Sequence, residues 1–441
     1  MTRTKNNLFK VLISVAVVML MSFSMILPAL AEDEIKYAEG NPVVEASITK
    51  ILKMPINTPV KAGDFIFEFT KVGMIVDGKE DKTRNGTMPD LGPITIPFDG
   101  TEDTAEWKDK EGKDDVIFAA KESIDILTGV TSADWENGEG IYRYILKEKD
   151  KTLTLTTGKE DARYSEAEYE IDIYIEKDAS GNYFAKYLSA KITEHYDEYY
   201  DAGDKEKKID PTTWGESWTE ITDLSELIFT NKYWKTDGVD EDDSALKITK
   251  TTTGTGASFS ELFEFKVTVT KPSIAEVDKP YIAYIYEGST KITDTENFTG
   301  YGTNGAIEFT SGSEVTVKLS NGQRLVFVDL HIGSKVEVKE SAHEDYKPEY
   351  VRTFGKTPGT FTATAANTTW GFYNDLSDKG PHYLEEGADH NEANFTNYRT
   401  GATPTGLDVN DLPYIVLIGV AAAGLAAFVI MKSRKRAEEE V

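Results

Sequence analysis

The chain of 441 residues contains no cysteine. An exported protein often uses disulfides as covalent staples, and this one has none to use. Histidine is scarce, with five residues scattered along the chain. There is no HExxH pair, no nucleophile elbow and no phosphate loop; Gly254-Thr255-Gly256 lacks the following Gly-Lys-Ser/Thr. These absences argue against a hydrolase or nucleotide enzyme, and no cofactor or metal is expected. Basic residues are in deficit, 48 Lys and Arg against 76 Asp and Glu, for a net charge of −28. Nucleic-acid binding needs basic patches, so the balance argues against such a partner and suits a soluble extracellular body. The acidic run Asp237 to Asp243 lacks the spacing and glycine of a calcium loop and reads as a solvated linker.

Long apolar runs are confined to the two ends. Arg3, Lys5 and Lys10 precede an apolar stretch from Val11 to about Leu27, followed by Pro28-Ala29-Leu30-Ala31. This is the pattern of a secretory signal peptide over 1–31, cleaved between Ala31 and Glu32. At the other end, Tyr414 to Met431 reaches the minimum of about 18 residues for a membrane helix. Lys432, Arg434, Lys435 and Arg436 follow at once and hold that side in the cytoplasm, so the body lies outside. Just before this run stands Ala402-Thr403-Pro404-Thr405-Gly406. The order of short motif, polar spacer, helix and basic tail resembles a sortase sorting signal, although Leu-Pro is missing from its first two positions. The resemblance implies cleavage between Thr405 and Gly406 and transfer of the Thr405 carbonyl to an amine of the cell wall or of another protein.

Between the ends, long helical periodicity is hard to find from 40 to 398, whereas short alternating runs rich in Tyr, Thr, Val, Ile and Phe recur between turn residues. The expectation is an all-β body of mostly antiparallel strands in sandwiches. The domain reading is an N-terminal sandwich over 32–235, an acidic linker over 236–244 and a C-terminal sandwich over 245–399. A sorting signal and spacer (400–413), a membrane helix (414–431) and a basic tail (432–441) complete the chain.

Strand alternation singles out six positions. Ala46, Ile48, Leu52 and Met54 share a face with Lys50; Tyr142, Tyr144 and Leu146 share one that ends in Glu148; Leu227 and Phe229 share one with Asn231. The order then repeats: Leu246 and Ile248 lead to Lys250, Val336 and Val338 to Glu340, and Phe395 to Asn397. Local texts repeat too, with Ile-Thr-Lys ending at 50 and 250, Lys-Glu at 148 and 340, and Phe-Thr-Asn at 231 and 397. Singly, each is commonplace: a lysine at a rim, a glutamate closing a strand, an asparagine in a turn. The ordered triplet occurring twice in a cysteine-free chain points to shared chemistry. A buried lysine loses its proton more easily, a buried glutamate holds one, and an adjacent carboxamide then becomes a target for the amine.

On these motifs the chain resembles the major (shaft) pilins of Gram-positive bacteria, of the streptococcal pilin isopeptide-linkage type. The stretch Phe309 to Glu340, with Val315, Val317, Leu319, Gly322 and Gly333, resembles the segment leading to that family's second glutamate. The resemblance implies two tandem immunoglobulin-like (CnaB-like) sandwiches. Each would be closed by a bond between its first and last strands: Lys50–Asn231 assisted by Glu148, and Lys250–Asn397 assisted by Glu340. It also implies a secreted, wall-attached subunit. Its expected partners are a sortase, neighbouring subunits and peptidoglycan, with the membrane as a transient anchor before sorting; no host ligand is named. The resemblance further implies that polymerisation uses an acceptor lysine shortly before the first Asn. This chain has Leu224 there, and the inserted Lys205, Lys207 and Lys208 are the candidates. A wall-anchored adhesin that does not polymerise is the alternative.

Overall fold

A computed structural model describes residues 46–76, 78–107, 115–212, 224–276, 279–354, 357–362, 391–399 and 412–439. The signal-peptide region with Ala31 and Glu32, and the sorting motif with Thr405 and Gly406, lie outside the described residues. What is described is almost wholly β, in two successive sandwiches followed by one helix.

The first sandwich faces two sheets toward one another. One contains Thr49–Pro55 between Ile228–Asp237 and Val116–Glu122, with Thr104–Glu106 beyond. The other runs from Tyr183–Ile192 through Glu168–Lys177 and Gly140–Glu148 to Gly63–Val76. Its core is continuous from Ala46 to Tyr233. Gly140–Glu148 alternates as the sequence reading requires, with Tyr142, Tyr144 and Leu146 buried. Thr49–Pro55 is instead buried on both faces. Its second face carries Lys53, whose ammonium lies 4.0 Å from the Trp107 ring centroid and 2.8 Å from Glu198.

The second sandwich repeats the plan. Leu246–Thr253 lies between Gln323–Phe327 and Asn391–Arg399, and Tyr346–Phe354 continues that sheet. The facing sheet is Glu314–Leu319, Phe263–Thr270 and Lys335–Glu340. A second core spans Ala245 to Phe395. Most pairings are antiparallel, as expected. The exceptions are the pairs that matter here: Thr49–Pro55 with Ile228–Asp237, and Leu246–Thr253 with Asn391–Arg399, are parallel. Parallel neighbours need a long crossover, and nearly the whole of each sandwich intervenes between its first and last strand.

The sandwiches meet through backbone. Ile228–Asp237 runs beyond Trp234 into the acidic segment, and its last residues, Thr236 and Asp237, pair with His331 and Leu330 of the second sandwich. The Ile332 N–H donates to the Lys235 carbonyl at 3.0 Å. Gly333 has φ +76°, and a Cβ there would stand 2.7 Å from Pro55 Cβ and 2.8 Å from the Ile56 carbonyl oxygen. The beginning of the acidic segment is therefore held in a sheet, and the turn after it is fixed by Asp240, whose carboxylate accepts the N–H groups of Asp242 and Asp243.

His331 is buried at this joint, its Nδ1 2.8 Å from the Tyr281 hydroxyl. Burial lowers its pKa to about 4, against the attraction of Asp329. An unfolded histidine titrates near about 6.5, so between that value and about 4 the unfolded chain binds the extra proton. Stability from the neutral ring is complete above about pH 6.5 and lost as pH falls toward about 4, by at most about 3 kcal/mol. Unfolding followed at several pH values is expected to show a smaller acid loss in His331→Phe than in the parent. Parallel pH curves would contradict this reading.

Candidate functional sites: two buried Lys–Glu–Asn clusters

In the first sandwich, the parallel register sets Lys50 beside Phe229 and Leu52 beside Asn231. Lys50 and Asn231 thus sit two positions apart on neighbouring strands and share the inward face. Glu148 ends Gly140–Glu148 in the facing sheet, opposite Phe67 in the ladder. Its carboxyl reaches across the core and bridges the other two. Lys50 Nζ lies 2.7 Å from Glu148 Oε2, and Asn231 Nδ2 donates to Glu148 Oε1 at 2.7 Å. Lys50 and Asn231 are fully buried, as is the Glu148 side chain.

The second sandwich builds the same cluster from the corresponding strands. Lys250 stands beside Phe395, and Thr252 beside Asn397. Glu340 closes Lys335–Glu340 opposite Phe265. Its Oε1 takes both contacts, Lys250 Nζ at 2.7 Å and Asn397 Nδ2 at 2.8 Å. All three residues are buried.

Aromatic rings line both clusters. Lys50 Nζ is 4.8 Å from the Phe65 centroid and Lys250 Nζ is 4.2 Å from that of Phe263. Phe67 packs on Phe229 at 4.9 Å, and Phe265 on Phe395 at 5.1 Å. The duplication therefore includes a Phe-x-Phe element, Phe65-Ile66-Phe67 and Phe263-Glu264-Phe265. The sequence reading missed it, although both copies lie a similar short distance after their lysines.

Desolvation by burial governs the proton states. It draws Lys50 below the usual lysine value, against the pull of Glu148. It draws Lys250 down to about 8, against Glu340. The same desolvation raises Glu148 and Glu340 above the usual carboxyl range, opposed in each case by the lysine. Both shifts favour the neutral pair, an amine beside a carboxylic acid. Such an amine has a free lone pair, and the acid can pass a proton to a neighbouring carboxamide.

Two further residues meet the first cluster without having been expected there. The Ser165 N–H donates to Asn231 Oδ1 at 2.7 Å, and buried Asp197 accepts from the Ser165 hydroxyl and the Thr230 N–H. Both lie in segments without strand periodicity, so alternation could not single them out.

The remaining candidates lie apart from these clusters. Lys205 and Lys207 are exposed, in ion pairs with Glu194 at 3.4 Å and Asp204 at 3.3 Å. Lys208, half-buried, opens the short strand Lys208–Ile209 at the edge of the first sandwich, opposite Lys191. Leu224 is buried. The C-terminal helix spans Leu412–Glu439, and Leu417, Ile418, Val420, Leu425 and Phe428 on it are exposed. Among the described residues no helix is long and apolar enough to cross a membrane; side chains in this one are described only at 417, 418 and 420–432.

Comparison with known proteins gives the following. A family model described as a domain of unknown function, DUF7601, matches residues 244–376. No curated protein matches the chain. Among solved structures, the chain is similar to the major pilin T3.2 from Streptococcus pyogenes serotype GAS13637, at 17% identity over 81% of this chain and 100% of that one, with a TM-score of 0.27. A second similar structure is a major pilin from Streptococcus pyogenes, at 15% identity over 81% and 99%, TM-score 0.28. A third is the pilus-presented adhesin Cpa, at 10% identity over 80% and 100%, TM-score 0.25. At these identities and scores the likeness assigns neither a role nor a residue to this chain.

Removing one partner from a buried pair leaves the other uncompensated, at a cost of about 3–5 kcal/mol. Glu340→Ala is expected to destabilise the second sandwich by about that much. Lys250→Met combined with Glu340→Leu should recover part of the loss, because no buried ionisable group is then left without its partner, although the Asn397 Nδ2 group loses its acceptor. Equal stability of the single and double variants in denaturant unfolding would contradict the assignment of Lys250 and Glu340 as a coupled buried pair.

Proposed function

We propose that the chain is a structural surface subunit, a pilus shaft protein polymerised and/or wall-anchored by a sortase, whose two sandwiches are each closed by a self-formed Lys–Asn isopeptide bond. The observation that carries this reading is the pair of buried clusters, in which one carboxyl touches both an amine and a carboxamide.

The reaction follows from that contact. Neutral Lys50 Nζ attacks Asn231 Cγ, forming a C–N bond and moving an electron pair onto Oδ1. Glu148 takes a proton from Nζ and delivers one to Nδ2. The Cγ–Nδ2 bond then breaks, ammonia leaves and the carbonyl reforms. Lys250, Glu340 and Asn397 follow the same steps. The fold supplies the effective concentration that free amines and amides lack. Each site reacts once, so this is maturation and not turnover. The bonds close loops of roughly 180 and 150 residues, which on a chain-entropy model stabilise by roughly 5 kcal/mol each.

Anchoring rests on the termini. A signal peptide cleaved after Ala31 exports the chain, and the apolar helix with its basic tail holds it in the membrane while sortase acts at Thr405 and Gly406. The buried Leu224, where the resemblance implies an acceptor lysine, favours a second reading. In it the same body is a wall-anchored adhesin that does not polymerise. With Leu224 unavailable, exposed Lys205 and Lys207 and edge-strand Lys208 are the acceptors the polymerising reading requires.

Intact mass tests the bonds. The mature body is expected about 17 Da light per bond, the mass of the ammonia lost. Glu148→Ala together with Glu340→Ala should restore the full mass, whereas an unmodified parent mass would reject self-linkage. In cell-wall extracts, heat-stable SDS-resistant ladders joined through Thr405 would support polymerisation, and a single wall-linked band would establish the adhesin reading in its place.

A further inference from the structure

The two clusters differ in how the asparagine carbonyl is held, and the difference originates in the sheets. In the second sandwich, Asn391–Arg399 pairs along its whole length with Tyr346–Phe354. The residue opposite Asn397 is Pro348, which has no N–H to offer. Among the described residues, neither Asn397 Oδ1 nor Glu340 Oε2, both buried, has a hydrogen-bond partner.

In the first sandwich the strand beside Ile228–Asp237 is shorter. Glu160–Arg163 pairs with Lys232 to Lys235 and stops short of Asn231. The chain then crosses to the facing sheet, where Glu168–Lys177 begins. Ser165 lies in that crossover, and its N–H is free to donate to Asn231 Oδ1 at 2.7 Å. This bond also fixes the carboxamide orientation, since a backbone N–H needs an oxygen facing it. Asp197 locks the arrangement from behind. It accepts the Ser165 hydroxyl at 2.8 Å and the Thr230 N–H at 2.6 Å through one oxygen, and the Tyr199 N–H at 3.1 Å through the other. Asp197 is buried and grips both the residue that donates to Asn231 and the residue that precedes it.

Resting on the self-linkage reading above, we infer that the first site has an oxyanion donor, the Ser165 N–H, positioned by Asp197, and that the second site has none among the described residues. When the lysine attacks, negative charge develops on the asparagine oxygen. A donor already aimed there stabilises that charge without reorganisation, and losing one such donor typically slows acyl chemistry by about 100-fold or more. At the second site Glu340 meets the carboxamide through Nδ2, and no described donor faces the oxygen on which the charge develops. The two bonds therefore form at different rates, Lys50–Asn231 first. Ser165 contributes directly through its backbone; Asp197 is a positioning residue.

The test is a time course. The full chain is made by cell-free synthesis, quenched at intervals and digested, and the two cross-linked peptides are quantified by mass spectrometry. The Lys50–Asn231 peptide is expected to accumulate at least about ten-fold faster than the Lys250–Asn397 peptide. Ser165→Ala and Asp197→Asn should each slow the first bond by about ten-fold and leave the second unchanged, because they loosen the donor without deleting it. Ser165→Thr, which keeps the hydroxyl, should restore the rate. Equal rates for both bonds in the parent, an unaltered first bond in Ser165→Ala, or slowing of both bonds together would overturn the inference while leaving self-linkage standing. Absence of both cross-linked peptides at all times would instead reject the self-linkage reading itself.

Discussion

One contact organises each sandwich: a buried glutamate carboxyl from one sheet meets a buried lysine and asparagine from the other. Glu148 touches Lys50 and Asn231 at 2.7 Å, and Glu340 touches Lys250 and Asn397 at 2.7 and 2.8 Å. Buried ionisable groups are costly unless paired, so neither lysine would stay inside without its glutamate. The parallel pairing of first and last strands sets the amine beside the carboxamide, and the facing sheet brings the acid that serves both. Burial then favours neutral forms, which are inert as a salt bridge and suited to condensation.

In the proposed function these contacts matter because of where they lie along the chain. Each cluster joins the strand that enters a sandwich to the strand that leaves it. Between the sandwiches the load passes from Ile228–Asp237 into the second sheet system through its pairing with Leu330–His331 and the close approach of Gly333 to Pro55 and Ile56. Tension entering at one end can thus cross both domains along short covalent and hydrogen-bonded segments. A covalent tether at Thr405 would be matched by a body that resists unravelling, which suits a cysteine-free chain at the cell surface.

Much of this was legible in the sequence, because strand alternation is a local property. The inward faces of Gly140–Glu148, Leu246–Thr253 and Lys335–Glu340 follow directly from period-two patterning. The duplicated order of Lys, Glu and Asn is likewise readable along the chain, because each of the six lies on an alternating strand face. What escaped were features set by long-range packing. Burial of both faces of Thr49–Pro55 depends on Trp107 and Glu198, remote in sequence. The parallel pairing of first and last strands has no local signature. Thr236 and Asp237 read as linker because they are followed by acidic residues, yet one short strand of the other sandwich, Leu330–His331, pairs with them. Ser165 and Asp197 sit in segments whose conformation is fixed by the hydrogen bonds they make, so no periodicity announces them.

The central claim is that force crosses each sandwich through its Lys–Asn link, and single-molecule pulling between the start of the first sandwich and the end of the second tests it most directly. The account predicts that the bridged segments stay folded and contribute no extension steps up to forces that break the tether. Stepwise release of roughly 65 nm and roughly 50 nm, the lengths of the two enclosed segments at about 3.6 Å per residue, would contradict it.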